Sequence, residues 1–250
     1  IIKNVAIDKN NSVLGFFLEA STHETVCRMI TQLTGIAFSS VFQGKMTERE
    51  WLQYNTALEQ IKASKIYFDD SSGITIPELR AKIRKVKSET DLKLVVIDQL
   101  EQVRGYETQA SYVQLDKIAY DIKDMAKEFG VPIILNHQLN RAITDRKLKN
   151  VEPQLSDLNQ AGEKPVNQVW AISHQKDELG NIIASRINTL KNRNGPRVNF
   201  NVQFLQERML FVNSTREYDE RNSYFVNSDN DDYEENEQQD PYDFSPKWAR

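Results

Sequence analysis

The stretch LKLVVIDQL at residues 92–100 decides the predicted fold of this 250-residue chain. It holds four consecutive apolar residues, 94–97, and it then reaches a carboxylate, Asp98. A short apolar run rich in β-branched residues is typical of a strand that is buried on both faces of a parallel sheet. Ligands of such sheets bind at the carboxyl ends of the strands, where an Asp can help to hold Mg²⁺. Asp98 could equally end the strand or cap the next helix, so both interpretations stay open.

Further apolar runs, separated by helical patterns, predict the rest of the architecture. The strands are predicted at 13–19, 65–70, 131–136, 166–173, 180–190, 198–204 and 208–212, and the helices at about 22–34, 47–63, 75–88 and 109–129. Strands that alternate with helices, followed by strands in succession, predict an α/β fold. We expect a mostly parallel sheet flanked by helices, with antiparallel strands toward the C-terminus.

Polar residues end three of the predicted strands. Glu19 ends VLGFFLE, Asp98 ends LKLVVID, and the run Asn136-His137-Gln138 follows VPIIL. If these strands are neighbours, their polar ends meet at one edge of the sheet. A carboxylate that orients water, one that holds Mg²⁺ and an amide that senses phosphate would form a hydrolysis site. Polar strand ends also occur without any function, and that alternative remains.

The composition excludes several classes of protein. An apolar content of 39% and a charged content of 27% are ordinary for a globular protein with a sizeable core. No apolar run approaches the roughly 18 residues that a membrane span needs, so no membrane partner is expected. The single cysteine, Cys27, excludes an internal disulfide framework and fits a reducing compartment. The three histidines lack the spacing of a metal site.

The charge is unevenly distributed along the chain. Residues 213–250 hold 11 of the 36 acidic and 4 of the 32 basic residues, which leaves a net charge of +3 before them. The overall charge of −4 is therefore a poor guide to nucleic-acid binding. We predict one domain at 1–212 and an acidic, disordered tail at 213–250.

Six segments in order resemble the C-terminal, RecA-like motor domain of the DnaB-type replicative DNA helicases. They are FFLEAS (16–21), YFDDSSGITIPELRAKIRKV (67–86), LKLVVIDQL (92–100), VPIILNHQLNRAITDR (131–146), PQLSDLNQAG (153–162) and LKNRNGP (190–196). Each match alone is weak, but the six follow the order of the family across residues 1–212. The resemblance implies a RecA-like fold and an enzyme that hydrolyses ATP with Mg²⁺.

The resemblance also implies catalytic roles for individual residues. Glu19 would polarise the attacking water, Asp98 would bind Mg²⁺ through water, and Gln138 would couple the γ-phosphate to a loop on the DNA side. Lys191 and Arg193 would reach across a subunit interface to the phosphates of a neighbour's ATP. An arginine supplied in this way can contribute roughly 10³ to 10⁵ in rate. Without the resemblance, NRNGPR at 192–197 is better interpreted as a tight hairpin with incidental charges.

The candidate DNA contacts lie in two segments. The resemblance implies DNA contacts for Arg141, Arg146, Lys147, Asn159, Gln160 and Gly162. The family usually has Arg-Glu-Ser-Gly where this chain has Asn159-Gln160-Ala161-Gly162, so one phosphate partner is lost. Gln99 likewise replaces a usual tyrosine, and His174 replaces an arginine. A solvated basic loop remains the alternative for the first segment.

The implied function is an ATP-dependent replicative helicase that translocates on single-stranded DNA as a homo-hexamer. Primase and a helicase loader are the implied further partners, in a bacterial cytoplasm or an organelle stroma or matrix. Two alternatives stay open, a catalytically inactive RecA-like fragment that serves as an assembly or interaction module and another RecA-family ATPase of the recombinase or clock type. The segment Ser156-Asp157-Leu158 and the turn Lys191-Asn192-Arg193 favour the helicase.

One motif is absent from the sequence. G-x-x-x-x-G-K-[ST], whose backbone N–H groups cradle phosphates, occurs nowhere in the 250 residues. In the family this loop comes just before a helix that aligns with IIKNVAIDK at 1–9. We therefore expect a piece of a helicase that starts after the loop and that binds ATP poorly alone. The missing motif favours the inactive-fragment alternative.

Overall fold

The computed structural model describes residues 1–107, 109–139, 152–158, 162–177 and 179–214. The first sheet has four parallel strands, β1 (Ser12–Phe17), β2 (Ile66–Asp69), β3 (Leu92–Asp98) and β4 (Ile133–Leu135). Their spatial order is β2–β1–β3–β4. In the two central strands, every residue of β1 is buried, and so are four consecutive residues of β3, 94–97. The parallel sheet predicted from the apolar runs is confirmed.

Helices connect the strands of this sheet. They are α1 (Thr22–Thr34), α2 (Phe38–Gln43), α3 (Glu48–Ala63), α4 (Ile76–Glu89) and α5 (Ser111–Phe129). A π-helical segment, Asn4–Asp8, precedes β1, and single 3₁₀ turns lie at Leu100–Gln102, Leu155–Asp157 and Gln206–Arg208. The sequence pattern does not predict α2. This helix is six residues long with one buried residue, Val41, so its sequence carries no helical period.

Capping residues determine where the helices begin and end. Thr47 and Thr75 each form a complete capping box with the Glu three residues later. At the start of α1 only half of such a box is formed: Ser21 Oγ accepts from the Glu24 N–H, while the Glu24 side chain pairs with Arg28. Gly130 ends α5 with a φ of 60°, a left-handed conformation that glycine adopts without a steric penalty.

Apolar clusters cover both faces of the parallel sheet. One packs Leu79 and Ile83 of α4 and Ile118 of α5 against Val95 and Ile97 of β3. A second is built mainly from α1, α2 and α3 and includes Phe68 of β2. Burial on both faces is why β1 and β3 are continuous apolar runs rather than alternating ones.

The second sheet is antiparallel. Its strands are β5 (Gln168–Lys176), β6 (Ile182–Asn192), β7 (Phe200–Leu205) and β8 (Leu210–Asn213), in sequence order. These strands confirm the antiparallel region predicted toward the C-terminus. In the part of the chain that the structure describes, no ladder joins β4 to β5. A groove of about 1110 Å³ lies between these two edge strands instead, and its lining includes Asp98.

Two further sequence predictions concern membrane-spanning segments and the C-terminal tail. No helix in the described ranges is both long enough and apolar enough to cross a membrane. The predicted tail lies outside the described residues except for Asn213 and Ser214, so the division at 212 stays a prediction.

Candidate functional site

The pairing of β1 with β3 brings two carboxylates to one edge of the sheet. Phe17 lies opposite Asp98 in the parallel register, and the Leu18 N–H donates to the Asp98 carbonyl at 2.7 Å. Glu19 follows directly and is exposed, whereas Asp98 is half-buried. The carboxyl ends of parallel strands are where ligands of α/β sheets bind. The structure therefore places the two acids where the sequence predicts them.

Asn136 ties Asp98 to the neighbouring strand. Its Nδ2 donates to Asp98 Oδ1 at 2.9 Å. The backbone of Asn136 is fixed as well, because its N–H donates to the Ile97 carbonyl and its carbonyl accepts from the Leu100 N–H, each at 2.9 Å. Among the described residues, Asp98 Oδ2 has no hydrogen-bond donor committed to it.

Gln99 contacts the other acid. Its side chain is buried, and its Nε2 donates to Glu19 Oε2 at 2.8 Å. The Asp98–Gln99 peptide bond is cis. The sequence marks Gln99 only as a departure from a tyrosine, and nothing in the pattern indicates a contact with a residue 80 positions earlier. Gln99 holds the Glu19 carboxylate in one orientation.

Gln138 lies beyond the end of β4. Its side chain is exposed, and its backbone N–H donates to Glu101 Oε1 at 2.9 Å. The bond fixes Gln138 near the 3₁₀ turn Leu100–Gln102 that follows β3. The predicted residues Glu19, Asp98 and Gln138 are thus all held at the ends of β1, β3 and β4.

Lys191 and Arg193 lie elsewhere, at the end of β6. Lys191 Nζ donates to the carbonyls of Glu163 and Lys164, and Arg193 Nη2 donates to the Lys164 carbonyl. Burial and the neighbouring charge of Arg193 lower the pKa of Lys191. Among the described residues, no hydrogen bond or ion pair joins these two cations to Glu19 or Asp98. Their predicted role at a neighbour's phosphates stays a prediction.

Of the six candidate DNA contacts, the structure describes only Gly162. The other five, Arg141, Arg146, Lys147, Asn159 and Gln160, lie outside the described residues. Gly162 adopts a φ of 77°, and its N–H donates to Asp116 Oδ1 on α5 at 2.8 Å. Asp116 Oδ2 also lies 3.3 Å from Lys164 Nζ. The segment that follows Asn159 and Gln160 is therefore anchored to α5.

Cys27 and His174 have structural surroundings. Cys27 is buried in α1, which raises the pKa of its thiol. His174 Nδ1 lies 2.9 Å from Ser185 Oγ, and its ring stacks on Phe211 at an interplanar angle of 13°. Burial and the charge of Lys176 lower the pKa of His174. Cys27 thus packs inside the helical layer, whereas His174 occupies an exposed position of β5 and stacks on its neighbour in the antiparallel sheet.

The donor atoms at the site suit Mg²⁺. This ion prefers oxygen ligands and is usually held by one or two carboxylates together with waters and substrate phosphates. Asp98 and Glu19 supply such carboxylates. No cluster of three or more His, Cys, Asp or Glu suited to a metal occurs in the ranges that the structure describes. The pair thus fits an ion that arrives with phosphate groups, not one that the protein holds alone.

Comparison with known proteins identifies relatives along most of the chain. The family described as DnaB-like helicase C terminal domain matches residues 1–213. The replicative DNA helicase DnaC of Bacillus subtilis (strain 168) is 32% identical over 229 residues, which cover 88% of this chain and 50% of that protein. The replicative DNA helicase DnaB of Geobacillus stearothermophilus is 30% identical over 227 residues, with the same two coverages. The chain spans about half the length of these relatives.

Solved structures agree on the fold. A DnaB-like replicative helicase, described together with its interactions with primase, superposes with a TM-score of 0.76 at 24% identity, covering 84% of this chain and 52% of that one. A second solved structure, that of an ATPase domain, gives the same score, identity and coverage of this chain, and 76% of its own chain is covered. A KaiC-like protein of Pyrococcus horikoshii OT3 reaches 0.52 at 13% identity, over 84% and 79% of the two chains. The predicted RecA-like fold is confirmed.

Proposed function

Because the chain belongs to the family of DnaB-like helicase C-terminal domains, we propose that it is the motor part of an ATP-dependent replicative DNA helicase. The family assignment confirms the resemblance of the six sequence segments. The observation that carries the proposal is the placement of Glu19 and Asp98 at one edge of the parallel sheet. Two carboxylates so placed suit phosphoryl transfer to water, in which positioning and charge stabilisation supply most of the catalysis.

Each residue of the site has a defined task in this proposal. Glu19, oriented by Gln99, accepts a hydrogen bond from the attacking water and aligns it. Asp98, oriented by Asn136, would hold Mg²⁺. Bound together with ATP, Mg²⁺ would offset the negative charge of the phosphates. Gln138 senses the γ-phosphate from the end of β4.

The phosphates need a further group of ligands. The 250 residues contain no G-x-x-x-x-G-K-[ST], so their backbone does not supply the usual phosphate cradle. Lys191 and Arg193 supply positive charge, although the Lys191 ammonium and one guanidinium nitrogen of Arg193 already donate to carbonyls of the same chain. ATP hydrolysis is therefore proposed for a polypeptide in which these residues are combined with such a loop.

The partners follow from the same assignment. We propose single-stranded DNA as the track, a homo-hexameric ring as the assembly, and Lys191 and Arg193 as ligands of ATP on the neighbouring subunit. Arg141, Arg146 and Lys147, together with the segment Asn159–Gly162, are the proposed DNA contacts. One structural neighbour is described with primase, and we extend that partner to this protein together with a helicase loader. The proposed location is the bacterial cytoplasm or an organelle stroma or matrix.

The test uses the full-length product that contains this chain. We expect ATP hydrolysis that is stimulated by oligo-dT, and unwinding of a forked duplex. Glu19→Gln should lower kcat by at least about 10²-fold, because positioned acid–base groups contribute typically 10² to 10⁴. Glu128→Gln is the matched control, since Glu128 is a carboxylate that pairs with Arg80 and Arg84 away from the site. Turnover unchanged by Glu19→Gln would remove Glu19 from the mechanism.

The bonds of Lys191 and Arg193 to carbonyls of their own chain favour a second candidate function. An inactive RecA-like module would assemble with partner subunits but would hydrolyse no ATP. Ring formation by the full-length product, measured by sedimentation, together with no turnover in the presence of DNA would support this module. Turnover that depends on Glu19 would exclude it.

A further inference from the structure

Glu101 joins the ends of two strands that carry candidate site residues. It lies in the 3₁₀ turn directly after β3, three residues beyond Asp98. Its Oε1 accepts from the Gln138 N–H at 2.9 Å and lies 2.8 Å from His137 Nδ1. One carboxylate oxygen therefore contacts two consecutive residues that follow β4.

His137 extends this connection to a third segment. Its Nε2 lies 3.1 Å from the carbonyl oxygen of Leu158, which follows the 3₁₀ turn Leu155–Asp157. The side chain of His137 is only 9% exposed, and that of Glu101 is 26% exposed. Each ring nitrogen lies close to an acceptor oxygen, an arrangement that is best satisfied when both nitrogens carry a proton.

The electrostatic surroundings agree with a charged pair. Burial alone would lower the pKa of His137, but the contacts with Glu101 and Leu158 outweigh it, and the pKa is raised. Burial would likewise raise the pKa of Glu101, but the nearby His137 ring and the bond from the Gln138 N–H lower it. Each residue thus favours its charged form in the presence of the other.

We propose that Glu101 and His137 are positioning residues that hold Gln138 and Leu158 in fixed places relative to the end of β3. Leu158 immediately precedes Asn159, and Gln138 lies shortly before Arg141. Both proposed DNA segments therefore start from points that this pair fixes against the strand carrying Asp98. On the assumption that the proposed function holds, a shift at Asp98 passes through Glu101 to both segments together.

The geometry favours this coupling over a solely stabilising ion pair. An exposed pair such as Lys62–Glu59 joins two residues of the same helix, one turn apart. Glu101 instead contacts two residues beyond β4, and its partner His137 contacts a third segment, so three parts of the chain meet at two side chains. Removing the charge should affect those segments selectively.

The first experiment measures hydrogen exchange in the full chain and does not depend on ATP hydrolysis. Glu101→Gln keeps the size of the side chain but removes its charge, so the Gln138 amide should exchange at least about tenfold faster. Peptides that overlap at residue 138 and peptides spanning 155–158 report the change. Glu128→Gln, which removes another paired carboxylate, should leave both regions unchanged. Unchanged exchange in Glu101→Gln would overturn the proposal.

The second experiment tests the transmission step, which is the coupling between the end of β3 and the proposed DNA segments. It measures the stimulation of ATP hydrolysis by DNA in the full-length product. In Glu101→Gln and in His137→Gln we expect the stimulation of ATP hydrolysis by an oligo-dT 20-mer to fall about tenfold, with the KM for ATP changed by less than about twofold. Stimulation that equals the wild-type value would overturn the transmission step even where exchange at Gln138 is faster. If the wild-type product hydrolyses no ATP, the proposed function and the transmission step fail, while the exchange experiment alone decides whether the pair positions these segments.

Discussion

Gln99 Nε2 donates a 2.8 Å hydrogen bond to Glu19 Oε2, and this bond joins the ends of two neighbouring parallel strands. Gln99 is buried, so its amide has few alternative partners. Glu19 is exposed, and without this bond its carboxylate would rotate among several orientations. The bond therefore restricts an exposed acid at the place where the proposed reaction needs one fixed direction.

The first prediction concerns this bond. Gln99→Leu keeps a side chain of similar size but removes the donor to Glu19. We expect kcat for ATP hydrolysis by the full-length product to fall roughly tenfold, because a misplaced catalytic group costs rate. The KM for ATP should stay within about twofold, since Gln99 is not a proposed ligand of the nucleotide. Steady-state kinetics at saturating oligo-dT measures both constants.

Gln102→Leu is the control for this change. Gln102 ends the 3₁₀ turn that Gln99 precedes, but its side chain is exposed, and within the described residues no hydrogen bond joins it to Glu19. Its substitution should leave both kinetic constants near their wild-type values. An equal loss of kcat in the two variants would show that the turn, rather than the bond to Glu19, determines the rate.

The second prediction tests the core beneath the site. Leu79 of α4 is fully buried in the cluster that covers β3. Leu79→Ala should lower the free energy of unfolding by about 2 to 5 kcal/mol, because it loses buried apolar surface and leaves a cavity. Leu52→Ala on α3, where the side chain is 68% exposed, should change stability by less than about 0.5 kcal/mol. Urea unfolding followed by circular dichroism measures both, and similar losses would contradict the assigned core.

Predictability from the sequence depends on the range of the interactions involved. β1 and β3 are predictable because burial on both faces leaves a continuous apolar run, and α3 and α4 because their caps are local. The ends of adjacent parallel strands then have to meet, which places Glu19 near Asp98. Predicting these features therefore requires only the local sequence pattern and the general topology of a parallel sheet.

The contacts that orient the site cannot be predicted in the same way. The bond between Gln99 and Glu19 joins residues 80 positions apart, and that between Gln138 and Glu101 joins residues 37 apart. No periodicity encodes such pairs. The engagement of Lys191 is equally hidden from the sequence, because Glu163 and Lys164 accept its hydrogen bonds through their backbone carbonyls.

The third prediction is a pH dependence of stability. The raised pKa of His137 stabilises the fold fully below its ordinary value of 6.5 and ceases to do so as the pH rises through the folded value. The lowered pKa of Glu101 stabilises the fold above its ordinary value of 4.5 and ceases to do so as the pH falls through the folded value. The pair thus contributes most between these two ordinary values.

Glu101→Gln should accordingly destabilise the chain more at about pH 5.5 than at about pH 8.5. Because Glu101 is partly exposed, the difference should be on the order of 1 kcal/mol. Urea unfolding at the two pH values measures it, with His137→Gln expected to give the same trend. Equal losses at both pH values would contradict a charged pair.

The fourth prediction concerns Arg193 and the subunit interface. If Arg193 acts on ATP bound to a neighbour, it belongs to a different active site from the Glu19 of its own chain. Arg193→Ala and Glu19→Gln should each abolish most of the hydrolysis by the full-length product. The loss from the arginine should reach about 10³-fold or more, as expected for a trans arginine.

A mixture of the Arg193→Ala and Glu19→Gln variants then distinguishes an Arg193 that acts on the ATP of a neighbour from one that acts within its own subunit. In a mixed ring, some interfaces combine the intact Glu19 of one subunit with the intact Arg193 of the next, so part of the hydrolysis should return. Mixing should restore nothing if Arg193 acts within its own subunit, or if it serves only to hold the Lys164 carbonyl, as the bond in the single chain allows. Lys164→Ala is the control, since it keeps that carbonyl and should hydrolyse ATP near the wild-type rate. Activity regained on mixing therefore requires Arg193 to contact the nucleotide that is bound by the neighbouring subunit.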